Sequence, residues 1–114
     1  MPMAWLVRDG QVIASLEVAH TRAARRRGLL GRESIEGGML FRPARWVHTV
    51  GMRIPIDVAF FDAEGTVVAI CTMKRNRLGK PRVTARCVIE ARAGAFAKWG
   101  VTAGDELTIT DAKP

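Results

Sequence analysis

Residues 54–73 read IPIDVAFFDAEGTVVAICTM, and this stretch decides the fold. Two apolar runs, residues 57–62 and 66–73, stand on either side of Ala63-Glu64-Gly65, where a glycine can supply the positive φ of a tight turn. The stretch therefore predicts an antiparallel hairpin. Because Val58-Ala59-Phe60-Phe61 is apolar on both faces of the first strand, we expect that strand to lie in the middle of a sheet.

The rest of the chain continues in short strands. Asp9-Gly10 separates runs at residues 3–8 and 11–18, and Asp-Gly between apolar runs is a strong hairpin signal. Thr21 can cap a helix over residues 22–27, which Gly28 would end. The remaining patterns predict strands at 46–50, 83–91 and 106–110, and a short helical turn at 94–100.

These elements amount to about seven short strands and two short helices. The fold class is therefore mainly β, or α+β at most. No connection looks long enough for the βαβ units of a parallel sheet, so we predict a small antiparallel barrel or sandwich. A chain of 114 residues, with 48% apolar and 25% charged residues, fits a single domain over residues 1–114.

The positive charge is concentrated in two blocks. Residues 22–53 hold eight arginines against two glutamates, and residues 74–86 hold six bases and no acid, within a formal net charge of +7. Such blocks favour contact with a polyanion: nucleic acid, anionic lipid or an acidic protein. A genome biased toward Arg and Ala codons would also produce them, and aromatic residues are too sparse for a base-stacking surface. The polyanion candidates are Arg25, Arg26, Arg27, Lys74, Arg75, Arg77, Lys80 and Arg82.

Several classes of protein are disfavoured. No apolar run approaches the roughly 18 residues of a membrane span, and residues 1–10 lack the pattern of a secretory signal, so we expect a cytoplasmic protein. Cys71 and Cys87 lie in apolar runs and are expected to be buried thiols rather than a disulfide. The spacing of His and Cys supports no metal site, and no cofactor-binding motif is present.

Four stretches resemble the family of domains of unknown function numbered 192, DUF192. The resemblance implies a compact, mostly β domain and no known activity. Many members carry an aromatic-Trp-Met-Lys-Asn-Thr stretch before the Ile-Pro element, where this chain has VHTVGM at residues 47–52 and His48 in place of the Trp. The matching stretches are Thr21 with GLLGR (28–32) and GMLF (38–41); IPIDVAFFD (54–62) with Gly65; VIEA (88–91) with Ala93-Gly94; and GV (100–101) with Gly104-Asp105.

His48, Asp57 and Glu90 are the best acid–base candidates. Both carboxylates stand in apolar runs, and a buried carboxylate needs a cation or several hydrogen-bond donors. Arg32 and Arg53 are plausible partners. The alternative is structural: Asp57 would accept backbone N–H groups at the tight Ile54-Pro55 corner, Glu90 would pair with an arginine, and His48 would be a hydrogen-bonded strand residue.

Three functions follow, and none is decided by the sequence. The favoured hypothesis is a ligand-binding or accessory domain with a cleft around residues 48–57 for a small anionic or peptide-like ligand. The second is an enzyme using Asp57 or Glu90 with His48, and the third is a nucleic-acid or other polyanion contact through blocks 22–53 and 74–86. The ligand-binding candidates are Arg32, His48, Met52, Arg53, Asp57 and Glu90, although a methionine such as Met52 more often fills a gap in the core.

Overall fold

The computed structural model describes residues 2–111, so residue 1 and residues 112–114 of the predicted domain lie outside the described range. Within it the chain forms seven strands and two short helices, which confirms a mainly β protein. In chain order the elements are β1 (Met3–Arg8), β2 (Gln11–Ala19), α1 (Arg22–Arg27), β3 (Gly38–Phe41), β4 (Ile56–Phe61), β5 (Val67–Met73), β6 (Cys87–Arg92), α2 (Ala95–Lys98) and β7 (Thr108–Asp111).

The strands form one sheet in the order β5-β4-β6-β3-β2-β1-β7. β4 has β5 on one side and β6 on the other, as its doubly apolar sequence predicted. The two predicted hairpins, β1–β2 and β4–β5, are both present. Their turns carry the expected positive φ, at 51° for Asp9, 79° for Gly10 and 85° for Gly65.

One pairing differs from the expected antiparallel arrangement. β2 and β3 are parallel, in the register Leu16 opposite Gly38 and Ala19 opposite Phe41. Residues 20–37, which include α1, carry the chain back to the start of the neighbouring strand. The helix begins and ends as predicted, because Thr21 Oγ1 accepts from Ala24 N at 3.0 Å and Gly28 follows with φ 49°. The six-residue helix α1 and the loop after it are thus enough to connect these two parallel strands.

Residues 46–50 are not a strand of the sheet, contrary to the prediction. Their backbone bonds instead to the segment that connects β5 to β6: Gly79 N donates to Val47 O and Thr49 N to Arg77 O. The only ladder contact there is the isolated bridge between His48 and Leu78. We call residues 44–49 together with 76–86 the ribbon. Ala85 N donates to Arg82 O, which turns the chain at residues 82–85. The strand β6 therefore begins at Cys87 rather than at residue 83.

Hydrogen bonds join the two ends of the sheet. Val67 N donates to Asp105 O and Gly104 N to Val67 O, both at 2.8 Å, and Leu107 N donates to Gly65 O at 3.0 Å. These bonds link the start of β5 to the segment just before β7, which lies at the opposite end of the strand order. The sheet is therefore closed on itself at this point, as in the predicted barrel.

The sheet has a buried core on each face. Leu6, Leu16, Phe61, Ile89 and Phe96 belong to the inner core, which the curled strands and α2 enclose. The outer core includes Met39, Phe41, Val58 and Phe60, on the face that residues 28–54 and the ribbon cover. The second core explains how β3, β4 and β6 are buried on both faces.

Candidate functional site

A crevice of about 430 Å³ opens on the outer face, between the end of α1 and the ribbon. One side comes from α1 and the turn after it, and the other from the chain leading out of β3. A single strand residue of β6, Glu90, lies at its base. The lining residues are Arg25, Arg26, Arg27, Gly28, Leu29, Leu30, Phe41, Pro43, Ala44, Arg45, Trp46, Val47, His48, Met52 and Glu90.

Glu90 is a buried carboxyl without a protein partner. Its side chain is only 7% exposed, and among residues 2–111 no hydrogen bond or ion pair reaches it. Burial raises its pKa from 4.5 to about 8. At neutral pH the carboxyl is therefore mostly protonated, so it can donate one hydrogen bond and accept others. A carboxyl of this kind that faces a cavity is a common mark of a functional site.

Arginines surround the mouth of the crevice. Arg25, Arg26 and Arg27 form the last turn of α1, where positive charge also favours the helix dipole. Arg45 faces them from the ribbon. Arg25 donates to two carbonyls, His20 O at 3.3 Å and Arg42 O at 3.4 Å. In the part of the chain that the structure describes, no carboxylate lies within ion-pair distance of these four arginines.

The walls between rim and base are apolar. Leu29, Phe41, Val47 and Met52 are all buried and belong to the outer core. Gly28 allows the helix to end against the Phe41 ring, since a Cβ there would stand 3.2 Å from it. The crevice therefore offers positive charge at its mouth, apolar walls and one polar group at its base.

The crevice brings together only part of the predicted ligand set. His48, Met52 and Glu90 line it, whereas Arg32, Arg53 and Asp57 do not. His48 is exposed, and its ring lies 5.5 Å from that of Trp46, centroid to centroid. Met52 is buried, so it both fills the core and lines the cavity.

Asp57 is separated from Glu90 by the sheet itself. Asp57 lies opposite Ala91, which faces the inner core, while Glu90 lies opposite Val58, which faces the outer core. Asp57 Oδ1 accepts from Thr72 Oγ1 at 2.6 Å and Oδ2 accepts from Gly94 N at 2.9 Å. Asp57 thus has a structural role, but its donors are a hydroxyl of β5 and the turn before α2 rather than the Ile54-Pro55 corner.

Arg32 and Arg53 pair with acids other than the predicted ones. Arg32 forms two hydrogen bonds with Glu17, at 2.6 and 2.9 Å, and Arg53 bonds Glu33 at 3.0 Å. The bond from Arg32 lowers the pKa of Glu17 and raises that of Arg32 itself. Neither arginine compensates Asp57 or Glu90.

The polyanion candidates do not form one surface. Arg25, Arg26 and Arg27 stand at the crevice, while Lys74, Arg75 and Arg77 line a separate depression beside Pro55. Arg82 packs over the Phe60 ring, 5.5 Å from its centroid, and so serves the outer core. Lys80 is exposed.

Three remaining expectations concern the two cysteines, a metal site and a membrane span. Cys71 and Cys87 are free thiols, and burial raises the pKa of both, which makes them poor nucleophiles. Within residues 2–111 no group of three or more His, Cys, Asp or Glu side chains could hold a metal ion. No helix in that range is long and apolar enough to cross a bilayer.

Sequence reasoning missed Arg45 and Leu29 as parts of a site with Glu90. The helix end, the ribbon and β6 meet only because β3 and β6 are adjacent, a pairing that local patterns do not reveal. The one available signal was the triple arginine followed by Gly-Leu-Leu, which marks where the helix ends against apolar residues.

Comparison with known proteins identifies the fold without an activity. The family model DUF192, described as an uncharacterised ACR, matches residues 4–109. A protein of unknown function from Novosphingobium aromaticivorans DSM 12444 has a similar crystal structure, with 24% identity, TM-score 0.75, and coverage of 95% of this chain and 84% of that one.

A second similar structure comes from Sinorhizobium meliloti 1021 and is provisionally described as a transcription regulator. It has 23% identity and TM-score 0.75, and the match covers 95% of this chain and 92% of that one. At these identities the likeness shows the fold alone. No curated protein matches the chain.

Proposed function

The chain belongs to the DUF192 family, and from that premise we propose that it is a ligand-binding or accessory domain whose crevice takes a small anionic or peptide-like ligand. One observation carries the proposal: Glu90, 7% exposed and without a partner among the described residues, lies at the base of a cavity of about 430 Å³. A largely buried carboxyl that no protein group bonds and that lines a cavity is positioned to exchange hydrogen bonds with a ligand there.

The lining suggests the chemistry of the ligand. Four arginines at the mouth favour a carboxylate or phosphate, and the walls of Leu29, Phe41 and Met52 favour an apolar group behind it. The carboxyl at the base, protonated at neutral pH, suits a neutral amide, which offers both a donor and an acceptor. A small molecule with an acid, an apolar group and an amide meets all three demands.

A second candidate function is an acid–base enzyme, and a specific observation favours it. His48 and Glu90 line the same crevice, and the pKa of Glu90 near 8 is close to what a general acid needs at neutral pH. Asp57 has no part in this version, because it faces the other side of the sheet. Binding alone remains the simpler proposal, since it needs only the unpartnered carboxyl and the arginines.

We also place the domain in the cytoplasm. The support is the state of Cys71 and Cys87, which are unpaired on separate strands, as is usual in a reducing compartment. The partner under this proposal is the small ligand itself.

The test is an NMR titration of the amide resonances with N-acetyl-leucine, which carries an acid, an amide and an apolar side chain. We expect shifts at Leu29, Val47 and Met52 at millimolar ligand or below. N-acetyl-leucinamide lacks the carboxylate and should bind at least tenfold more weakly. If neither compound shifts crevice resonances, this ligand class is wrong.

Variants assign the roles. Glu90→Gln keeps hydrogen-bonding groups of similar shape and should bind within a few fold of the unaltered protein, whereas Glu90→Leu should lose binding. Arg27→Ala with Arg45→Ala should weaken binding, and Arg22→Ala is the matched control, because Arg22 lies on the same helix outside the crevice. Equal binding by all four variants would contradict the assignment.

A further inference from the structure

We propose that the outward face of the ribbon docks this domain on an anionic lipid surface. The inference concerns a surface that adjoins the crevice, since Trp46 belongs to both, and it goes beyond the proposed function. It starts from two exposed aliphatic side chains, Leu78 at 72% and Val83 at 78%, the largest exposures found among the large hydrophobic residues of the described chain. Both belong to the connection between β5 and β6, and neither contributes to a core.

Trp46 and Leu78 are neighbours on the ribbon, and Val83 follows in the same connection. Leu78 stands opposite His48 in the isolated bridge, and the rings of His48 and Trp46 lie 5.5 Å apart. Trp46 is 44% exposed, and its Nε1 donates to Gly79 O at 2.8 Å, which holds the indole along the ribbon. Val83 follows Arg82, whose N–H donates to Arg45 O. We call Trp46, Leu78 and Val83 the ribbon patch.

Exposed bases flank Leu78 and Val83 along the chain. Residues 74–86 contain no acid, and Lys74, Arg75, Arg77, Lys80 and Arg86 are all exposed. None of the ion pairs formed between residues 2 and 111 includes any of them. Bases of this density next to an anionic bilayer gain attraction from the surface potential of the lipid.

The ribbon is held firmly enough to present this face. Thr49 is fully buried, and its Oγ1 donates to Lys74 O at 2.6 Å and accepts from Arg77 N at 2.8 Å. Asn76 Oδ1 accepts from Gly51 N at 2.9 Å. These bonds hold the two segments of the ribbon to each other and to Gly51 and Lys74 beside them, so docking costs little ordering of the chain.

Lipid fits this surface better than nucleic acid does. Aliphatic side chains that point into water gain from insertion among acyl chains, and an indole is favoured at the membrane interface. A surface for single-stranded nucleic acid uses several aromatic rings to stack on bases, and the ribbon offers Trp46 and His48, which lie against each other. The combination of exposed aliphatic tips and surrounding bases is typical of proteins bound peripherally to anionic bilayers.

The experiment is co-sedimentation of the full chain with vesicles of phosphatidylcholine, with or without one third phosphatidylserine. We expect binding only when phosphatidylserine is present, and weaker binding as salt rises. Leu78→Ser with Val83→Ser should reduce binding about tenfold, because the apolar contribution is lost while the charge is kept. Val12→Ser is the control, since Val12 is 58% exposed on β2, away from the ribbon.

Two further measurements make the outcome decisive. Trp46 emission should shift to the blue on vesicles, and Trp46→Phe should abolish that shift although Trp5 and Trp99 remain. Glu90→Leu should leave vesicle binding unchanged, which separates this proposal from the crevice ligand. Circular dichroism must show that each variant is folded. The proposal is overturned if the Leu78/Val83 variant binds as well as the unaltered protein, or if single-stranded or duplex DNA binds more tightly than the vesicles.

Discussion

Asp57 and Glu90 lie on adjacent, hydrogen-bonded strands, and their side chains face opposite sides of the sheet. Two acids that both look buried in an apolar strand thus have different surroundings. Asp57 is surrounded by donors and fixes a turn, and Glu90 opens into a cavity without a partner. The predictions below depend on this division.

Glu90→Gln should change how stability depends on pH. The pKa of Glu90 is about 8 in the folded protein against 4.5 as its ordinary value, so the folded state holds the proton more tightly. Its contribution is fully present below pH 4.5 and is lost as pH rises toward 8, by up to about 1.4 kcal/mol for each pH unit. We expect the variant to be more stable than the unaltered protein at pH 9, measured by urea unfolding. Parallel stability curves for the two proteins from pH 5 to pH 9 would show that Glu90 is not perturbed.

Asp57→Ala should destabilise the protein and leave the crevice intact. The substitution removes the acceptor for Thr72 Oγ1 and Gly94 N in a site where Asp57 is 4% exposed. Leaving such donors unsatisfied costs about 2–3 kcal/mol. Urea unfolding measures the cost, and titration with N-acetyl-leucine should give unchanged shifts at Met52. If a folded Asp57 variant lost ligand binding, Asp57 would have to contribute to the binding site after all.

Glu17→Gln tests the ion pair with Arg32. The pKa of Glu17 is lowered, first by its hydrogen bond from Arg32, so its stabilisation is present above pH 4.5 and is lost as pH falls through the folded pKa. Because both side chains are partly exposed, we expect a loss of at most about 1 kcal/mol at pH 7. The difference should disappear near pH 2. A loss that persists there, in thermal unfolding of both proteins, would mean that packing rather than charge is responsible.

Thr49→Val should loosen the ribbon. Valine keeps the shape of threonine and removes the hydroxyl that bonds Lys74 O and Arg77 N. We expect a loss of about 1–3 kcal/mol and faster amide exchange at residues 74–77, with little change in β4. Thr66→Val serves as the comparison. Thr66 is partly buried just before β5, and its backbone forms an isolated β-bridge with Glu106. Uniform loss of protection across both regions would contradict a local role for Thr49.

Gly65→Ala should weaken the closure of the sheet. A Cβ at Gly65 would stand 2.3 Å from Leu107 O, and the residue has φ 85°. Gly104→Ala is a matched control, because its φ is also positive, at 94°, and nothing lies within 4 Å of the added Cβ. Since both carry the backbone strain and only one carries the clash, we expect Gly65→Ala to cost at least about 2 kcal/mol more in urea unfolding. Equal losses would show that the contact with Leu107 relaxes freely.

The features that the sequence predicted well are local ones. Asp9-Gly10 and Gly65 indicate hairpin turns because few other residues adopt positive φ. Thr21 and Gly28 mark the ends of α1 because a threonine hydroxyl caps a helix start and a glycine adopts the positive φ at its end. Residues 58–61 predict a central strand because both faces of it are apolar. Each of these signals operates within a few residues of the chain.

Long-range pairing is what the sequence could not supply. Two features depend on which backbones meet after the chain folds. The strands β2 and β3 pair in parallel, and residues 46–50 bond to the connection between β5 and β6 instead of joining the sheet. The opposite orientations of Asp57 and Glu90 depend on strand register, which shifts by one residue without any change in composition. The sequence predicted a cleft around residues 48–57, and His48, Met52 and Glu90 line the crevice, but its arginines were not assigned to that cleft because they come from distant parts of the chain.

The bonds that Val67 and Leu107 make across the closure also bear on how the protein is made in the cell. Residues 104–111 leave the ribosome after every other strand, and until then the outer edge of β1 and the start of β5 have no partner. Unpaired strand edges invite contact with other chains. A nascent chain stalled before residue 104 would therefore be a ready substrate for chaperones. Residues 104–111 cover both strand edges and so end that exposure.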